Sequence, residues 1–202
     1  MITIVDYGMG NLGSMVNMFK YLGTDVCVES EPSKIESAKK LVLPGVGKFD
    51  AAMKCIKKND NLLDLLSYKV CEEKIPILGI CLGMQLFTNS SEEGSEKGLG
   101  WIPGVVKKFP YNSDHRIPHM GWNDAVVLKK NSLVANVSGN SRYYFVHSYY
   151  VSLDNDENSL MRTNHGIEFT SGIVKDNIFG LQFHPEKSHK FGMVLLKNFS
   201  DL

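Results

Sequence analysis

Ile77-Leu78-Gly79-Ile80-Cys81-Leu82-Gly83 changes at its cysteine from the pattern of a β-strand to that of a helix, which continues to Phe87. The glycines on either side of Cys81 permit a tight turn between strand and helix, which lifts the cysteine side chain out of the sheet. This Gly-x-Cys-x-Gly arrangement is that of a nucleophile elbow with cysteine in place of serine. The N–H of Leu82 is then free to stabilise an oxyanion, and the helix N-terminus favours a thiolate. The segment therefore predicts a cysteine nucleophile at the end of a buried strand.

The elbow and the other cysteines also allow a purely structural interpretation. A cysteine buried on a core strand, with glycines that permit close packing, fits the same residues. Cys27, Cys55 and Cys71 have no elbow around them, and we interpret them as free thiols. No CxxC pair is present, so the sequence indicates neither a zinc site nor a redox motif, and we expect no bound metal.

The segments before the elbow alternate between strand-like and helical patterns. Residues 2–5, 26–28 and 41–43 are short apolar runs. Apolar residues at helical spacing lie between and after these runs, including Met15, Met18, Phe19 and Leu22. Strands that alternate with helices predict an α/β fold with a mostly parallel sheet covered on both faces.

The second half of the chain is predicted to be rich in strands. Strand-like runs lie at residues 105–106, 125–128, 143–151, 167–174 and 178–183, and only residues 191–199 are clearly helical. We expect these strands to extend the same sheet. Residues 1–202 are therefore predicted to form a single domain with a β-rich C-terminal half.

The composition excludes several classes of function. The 22 basic side chains balance the 22 acidic ones, which argues against the basic face of a nucleic-acid binder. No run of about 18 apolar residues is present, so no transmembrane helix is predicted. The N-terminal residues have neither the basic region nor the apolar run of a signal peptide. We expect a cytoplasmic protein without a membrane or nucleic-acid partner.

A candidate base for the cysteine lies in Gln182-Phe183-His184-Pro185-Glu186. His184 follows an apolar run, where its side chain can point over the edge of the sheet. Glu186 comes two positions later and can accept a hydrogen bond from the imidazole, as the third member of a triad. The alternative is a surface His and Glu in a turn. Metal binding by His184 and His189 is disfavoured because no third ligand stands at a suitable spacing.

Two glycine-rich loops follow predicted strands. Leu43-Pro44-Gly45-Val46-Gly47 can direct backbone N–H groups into the crevice at the C-terminal edge of a parallel sheet. Gly8, Gly10 and Gly13 match the bare dinucleotide pattern Gly-x-Gly-x-x-Gly. That pattern is unspecific, and the acidic residue it requires would follow a very short second strand, so we expect no cofactor.

Together, the cysteine elbow, the glycine loop and His-Pro-Glu, in this order, resemble the class I (triad-type) glutamine amidotransferases. Further runs resemble one branch of that family, whose glutaminase subunit supplies ammonia to a (β/α)8-barrel cyclase for imidazole glycerol phosphate and AICAR formation in histidine biosynthesis. These runs are residues 6–11, 91–94, 118–123, 147–149 and 183–188. Pro118-His119-Met120-Gly121-Trp122-Asn123 is the most specific of them. The resemblance implies a flavodoxin-like class I glutaminase fold.

The resemblance also implies roles for individual residues. Cys81 would attack the side-chain amide of L-glutamine, His184 would move the proton, and Glu186 would hold the imidazole. The backbone N–H groups of Val46 and Leu82 would form the oxyanion hole. The positions that would hold glutamine are Gly47, Gln85, Glu93 and the backbone of Ser148 and Tyr149.

A partner is implied as well, because ammonia is lost if it escapes into water. The chain would form a heterodimer with the barrel cyclase, which consumes the ammonia. Asn11, Met120, Trp122 and Lys187 match family positions that face the barrel. From the residues alone, Trp122 is better interpreted as a core aromatic, and only the resemblance reverses that interpretation. The role of His119 is open.

Other functions stay possible at this point. Closely similar paralogues, which also pair with a barrel, supply ammonia for amidination of a surface-polysaccharide sugar, and residues 14–19 and 86–91 slightly favour them. A stand-alone cysteine hydrolase of the same fold is another alternative, which Glu93 and Gln85 disfavour. A non-catalytic binding subunit is a third, which the intact Cys81, His184 and Glu186 disfavour.

Overall fold

The computed structural model describes residues 1–59, 61–111, 115–139 and 141–202. Within them, the strands are β1 Ile2–Val5, β2 Val26–Glu29, β3 Leu41–Gly45, β4 Ile77–Cys81, β5 Ser90–Ser91, β6 Gly104–Lys108, β7 His119–Asp124, β8 Val126–Val127, β9 Arg142–His147, β10 Tyr149–Leu153, β11 Ser159–His165, β12 Ile167–Lys175 and β13 Ile178–Leu181. The α-helices are α1 Leu12–Tyr21, α2 Pro32–Ile35, α3 Phe49–Lys58, α4 Leu62–Ser67, α5 Leu82–Leu86 and α6 His189–Asp201. A π-helix, Tyr68–Glu72, follows α4, and 3₁₀ turns span Ser132–Val134, Asp156–Asn158 and Pro185–Lys187.

Five parallel strands form one side of the large sheet, in the order β2-β1-β3-β4-β13, with β2 at the edge. The predicted parallel sheet is therefore confirmed. In β3, β4 and β13 the registers pair Gly45 with Cys81 and Leu181 with Ile80. Because the carboxyl ends of these strands meet at one edge, the loop after β3, the elbow after β4 and the segment after β13 lie together.

Helices cover both faces of the sheet, as predicted. Side chains of successive strand residues point to opposite faces, so Leu41 and Leu43 pack on one side and Val42 on the other. Helices α3, α4 and α5 pack on the first side, and α1 and α6 on the second. Among the described residues, no helix is both long and apolar enough to cross a membrane.

The second half extends the sheet only in part. Strands β12, β10 and β6 continue it in antiparallel order, β5 closes its edge, and β11 pairs with β12. Strands β7 and β9 instead form a separate antiparallel pair, His119–Asp124 with Arg142–His147. The prediction of one strand over residues 143–151 was therefore wrong: the chain leaves the small sheet at His147 and enters the large one at Tyr149. Apolar and aromatic side chains precede and follow this junction, so the sequence does not show where one strand ends and the next begins.

Candidate active site

The tight turn that the sequence predicts lies between β4 and α5, and its backbone is strained. Cys81 adopts φ 55° and ψ −111°, a conformation that costs a non-glycine residue roughly 1–3 kcal/mol. Gly83 lets helix α5 approach strand β3, because a Cβ there would overlap the carbonyl oxygen of Leu43. Such strain persists where the surrounding structure enforces it, which is common at functional sites.

We predict opposite effects on stability for two glycines that each occupy the second position of a helix. Gly83→Ala places its methyl group against backbone that cannot move aside, and we expect it to destabilise the fold by about 3 kcal/mol or more. Gly13→Ala in α1 is the matched control, because nothing lies within 4 Å of its Cβ position. There we expect stabilisation of about 0.5–1 kcal/mol. Urea unfolding of both variants measures the difference, and equal stability would contradict the close approach at Gly83.

A cavity of ≈ 380 Å³ opens above the elbow and is large enough for a small molecule. Its walls come from the carboxyl end of the parallel sheet and from the junction between the two sheets. The lining residues are Val46, Gly47, Cys81, Leu82, Gln85, Glu93, Pro118, Val146, His147, Ser148, Tyr149 and His184. Every residue predicted for the oxyanion hole and for glutamine binding is among them.

His184 is held rigidly at the cavity wall. Its Nδ1 lies 2.8 Å from Glu186 Oε1, and both side chains are almost completely buried. The backbone is held as well, because the His184 N–H donates to the Tyr144 carbonyl and Ser188 Oγ donates to the His184 carbonyl at 2.6 Å. His184 Nε2, on the side of the ring away from Glu186, is buried and forms no hydrogen bond with the described residues.

The charge state of His184 follows from its neighbours. Burial lowers the pKa of this imidazole, but Cys81 and Glu186 outweigh that effect and raise it to about 10. The imidazolium form is therefore favoured at neutral pH, which leaves a proton on the ring that can be passed to a leaving group.

Two polar side chains on the opposite wall are fixed before any ligand binds. Glu93 Oε2 accepts a hydrogen bond from the Phe49 N–H at 2.8 Å, at the start of α3. Gln85 Nε2 donates to the Tyr149 carbonyl and to Gln182 Oε1, both at 3.0 Å. Ordered side chains lose little entropy when they bind a ligand, which favours specific recognition.

Gln182 is a site residue that the sequence analysis missed. Its side chain is fully buried, and its Nε2 lies 3.8 Å from Cys81 Sγ. It thus contacts the cysteine and also orients Gln85. The available signal was a polar amide directly before Phe183 and His184, at the end of an otherwise apolar strand.

The end of β3, from which the next loop starts, is fixed. Tyr7 Oη donates to the Pro44 carbonyl at 2.8 Å, and burial raises the pKa of this phenol above its usual range. Gly47, at the other end of that loop, has φ 104°, a conformation that favours glycine. Val46 lies between them and is partly exposed, at 41%. The peptide that follows Pro44 is therefore fixed, whereas the glycine at position 47 leaves the peptide next to it adjustable.

The four residues predicted to face a partner are solvent-exposed. Met120 and Trp122 project from the outer face of β7, with 62% and 39% of their surfaces exposed. Trp122 stacks on His189 with 5.4 Å between ring centroids, and Lys187 Nζ lies over the Tyr144 ring. Asn11 is also exposed, and it lines a small cavity together with His184 and Glu186. Exposed aromatic and Met side chains are enriched at protein interfaces.

His119 and His147 form a buried pair at the cavity wall, where His147 is one of the lining residues. His119 Nδ1 lies 2.9 Å from His147 Nε2. Burial, with smaller contributions from neighbouring histidines, lowers the pKa of each ring to about 3. Both are neutral near pH 7, and neither is suited to act as the base in place of His184. Within the described residues, no group of three or more His, Cys, Asp or Glu side chains could hold a metal ion.

We predict that this pair makes the fold sensitive to acid. The unfolded imidazoles titrate near pH 6.5, whereas the folded rings of His119 and His147 stay neutral to about pH 3. Below pH 6.5 the unfolded chain therefore binds more protons, and the free energy of unfolding falls by up to about 1.4 kcal/mol per pH unit for each ring. Urea unfolding between pH 7 and 5 measures this slope. His119→Asn should reduce this slope by the contribution of one ring. An unchanged slope would show that the acid sensitivity does not come from this pair.

Comparison with known proteins gives a consistent picture. The family model for glutamine amidotransferase class I matches residues 3–201. The chain is 55% identical to imidazole glycerol phosphate synthase subunit HisH 2 of Methanococcus maripaludis, over 98% of each chain. It is 45% identical to the subunit HisH 2 of Pseudomonas aeruginosa over the whole of both. Among solved structures, PurLQS from Thermotoga maritima superimposes with a TM-score of 0.75 at 19% identity, covering 99% of this chain and 97% of the other.

Proposed function

Because this chain belongs to the class I glutamine amidotransferases, we propose that it is the glutaminase subunit of an imidazole glycerol phosphate synthase. In this role it hydrolyses L-glutamine to glutamate and ammonia. The ammonia passes to a (β/α)8-barrel cyclase subunit, which forms imidazole glycerol phosphate and AICAR in histidine biosynthesis. The observation that carries the proposal is the cavity that unites Cys81, His184 and the glutamine-binding candidates.

The chemistry assigned to the triad follows from its geometry. Cys81 Sγ attacks the amide carbon of glutamine, and its proton resides on His184 Nε2, which Glu186 keeps oriented through Nδ1. The oxyanion accepts hydrogen bonds from the N–H groups of Leu82 and Val46. His184 then protonates the leaving nitrogen, so ammonia departs and a thioester remains. Water, deprotonated by the same imidazole, hydrolyses the thioester and releases glutamate.

Binding of the amino-acid end of glutamine is assigned to the opposite wall. The Glu93 carboxylate, fixed by the Phe49 N–H, is placed to pair with the α-ammonium group. Gly47, Gln85 and the backbone of Ser148 and Tyr149 enclose the rest of the substrate. This arrangement favours a free amino acid over a peptide or an ester, which supports a glutaminase rather than a general hydrolase.

The partner is assigned to the exposed surface around β7. Asn11, Met120, Trp122 and Lys187 form the proposed contact with the barrel, as a heterodimer. We further propose that residues 1–202 act as one glutamine amidotransferase domain in the cytoplasm, and that neither metal nor cofactor takes part.

The test compares glutamate release by the chain alone, with the barrel, and with the barrel plus its acceptor. If the resting loop after β3 directs a carbonyl rather than an N–H toward the oxyanion, the chain alone lacks one donor. We then expect activation by the occupied partner of about 10²–10³-fold. Full activity of the isolated chain, unchanged by any partner, would contradict the proposal and indicate a stand-alone hydrolase. Amidination of a polysaccharide sugar, with no imidazole glycerol phosphate formed, would assign the chain to the paralogous branch.

A further inference from the structure

His119 and His147 form a hydrogen-bonded chain whose proton positions are fixed by the groups at its ends. The Tyr149 carbonyl, 2.7 Å from His147 Nδ1, can only accept, so that nitrogen carries the hydrogen. His147 Nε2 therefore accepts from the N–H at His119 Nδ1. His119 Nε2 in turn accepts from the amide of Asn123 at 3.1 Å, and that amide also donates to the Asn164 carbonyl.

The ring of His119 is held in place by its neighbours. It stacks on Phe145 at 4.5 Å and on His165 at 4.1 Å between centroids, so both of its faces are covered. His165 is itself fixed by a hydrogen bond between its Nε2 and the Arg116 carbonyl. A ring held between two others has one orientation. Its hydrogen bonds can therefore fix the positions of the groups to which it is bonded, in addition to the packing that the ring provides.

The two ends of this chain lie in different functional regions. One end is the Tyr149 carbonyl, which also accepts a hydrogen bond from Gln85, and the peptide before it lines the cavity. The other end is strand β7, which carries His119 on its buried side and Met120 and Trp122 on its exposed side. The pair thus bridges the wall of the cavity and the strand that faces solvent.

We propose that His119 and His147 are positioning residues that hold the Ser148–Tyr149 backbone in the geometry that binds glutamine, and that they link it to β7. This inference rests on the proposed glutaminase function. Neither ring acts on the reacting atoms, because every ring nitrogen of the pair is already hydrogen-bonded. Loss of the hydrogen bonds of this pair therefore weakens the binding of glutamine, whereas the side chains of the triad remain in place.

Two variants of His119 separate positioning from simple packing. In His119→Asn, the amide nitrogen occupies nearly the place of Nδ1 and can still donate to His147, although the smaller side chain leaves the larger void. In His119→Gln, the amide reaches the place of Nε2 and the donor to His147 is lost, although more of the volume is kept. If His119 positions the backbone, KM for glutamine rises more in His119→Gln than in His119→Asn. If His119 only packs, the larger effect is expected in His119→Asn.

The experiment measures glutamate release by each variant in complex with the barrel subunit, together with thermal unfolding. For His119→Gln we expect KM for glutamine to rise about three- to tenfold, the loss of one neutral hydrogen bond, with kcat within about twofold of wild type. For His119→Asn we expect KM within about twofold of wild type, in spite of a lower melting temperature. An unchanged KM in His119→Gln, or a larger rise in His119→Asn, would overturn the proposal.

A second measurement is independent of glutamine hydrolysis. Nitrogen-15 NMR of the imidazoles in the wild-type chain at pH 7 reports which ring nitrogen carries the hydrogen. We expect His119 and His147 both to be neutral and protonated at Nδ1. A proton at Nε2 of either ring, or a charged ring, would overturn the hydrogen-bonded chain even if the chain hydrolyses glutamine. If both rings show the expected form but wild type releases no glutamate, the proposed function fails and the chain of bonds stands.

Discussion

Replacing Cys81 with alanine or serine is expected to abolish glutamine hydrolysis and to leave the fold intact. The sulfur is the atom that forms the thioester, so its loss removes the covalent route, an effect of about 10⁴-fold or more on turnover. Stability should stay close to that of wild type, because the replacement changes one sulfur atom and leaves the backbone conformation at residue 81 and the glycines around it as they are. Glutamate release and urea unfolding together measure both expectations.

The other cysteines provide matched controls. Cys27, Cys55 and Cys71 are free thiols in partly buried positions, and each can be replaced by alanine in the same assay. A glutamine-like electrophile should label Cys81 in preference to these three. Equal loss of activity after labelling of any other cysteine would show that the nucleophile is assigned to the wrong residue.

Loss of the base should have the second large effect. His184→Ala removes the group that carries the thiol proton and protonates ammonia, and we expect turnover to fall on the order of 10⁴–10⁶-fold. Glu186→Gln keeps a hydrogen-bonding partner for the imidazole but removes the charge that raises its pKa, so a smaller loss, roughly 10²–10⁴-fold, is expected. Glutamate release with the barrel partner measures both losses.

A glutamate outside the site controls for the Glu186 change. Glu168→Gln alters an exposed carboxylate that pairs with Arg162, and it should leave turnover unchanged. Wild-type activity in His184→Ala would show that the base lies elsewhere. Comparable losses in Glu168→Gln and Glu186→Gln would indicate a general effect of charge rather than orientation of the imidazole.

The sequence was most informative where local patterns and close packing coincide. The elbow at Cys81 needs glycines on both sides, and those glycines are visible in the chain. Strands β1, β3 and β4 are buried on both faces, so they read as continuous apolar runs, and their parallel order followed from the helices between them. Even there, β3 ends two residues later than the predicted run 41–43. It continues through Pro44 to Gly45, which pairs with Cys81, and the chain turns only after that pair.

Features that depend on distant contacts were not predictable in the same way. The small sheet of β7 and β9 arises because Ser148 separates two strands that join different sheets, and apolar alternation alone does not mark that change. The contact of Gln182 with the cysteine and the pairing of His119 with His147 bring together residues far apart in the chain. Single-chain periodicity carries no information on such pairs.

The transfer of nitrogen from glutamine to the product of the barrel tests the central claim most directly. The chain and the barrel cyclase are supplied with glutamine labelled with nitrogen-15 in the amide, together with an excess of unlabelled ammonium. We predict that the product carries the label, and that Cys81→Ala removes the labelled product while synthesis from ammonium continues. A product whose nitrogen comes only from ammonium, or labelling that survives in Cys81→Ala, would contradict the account.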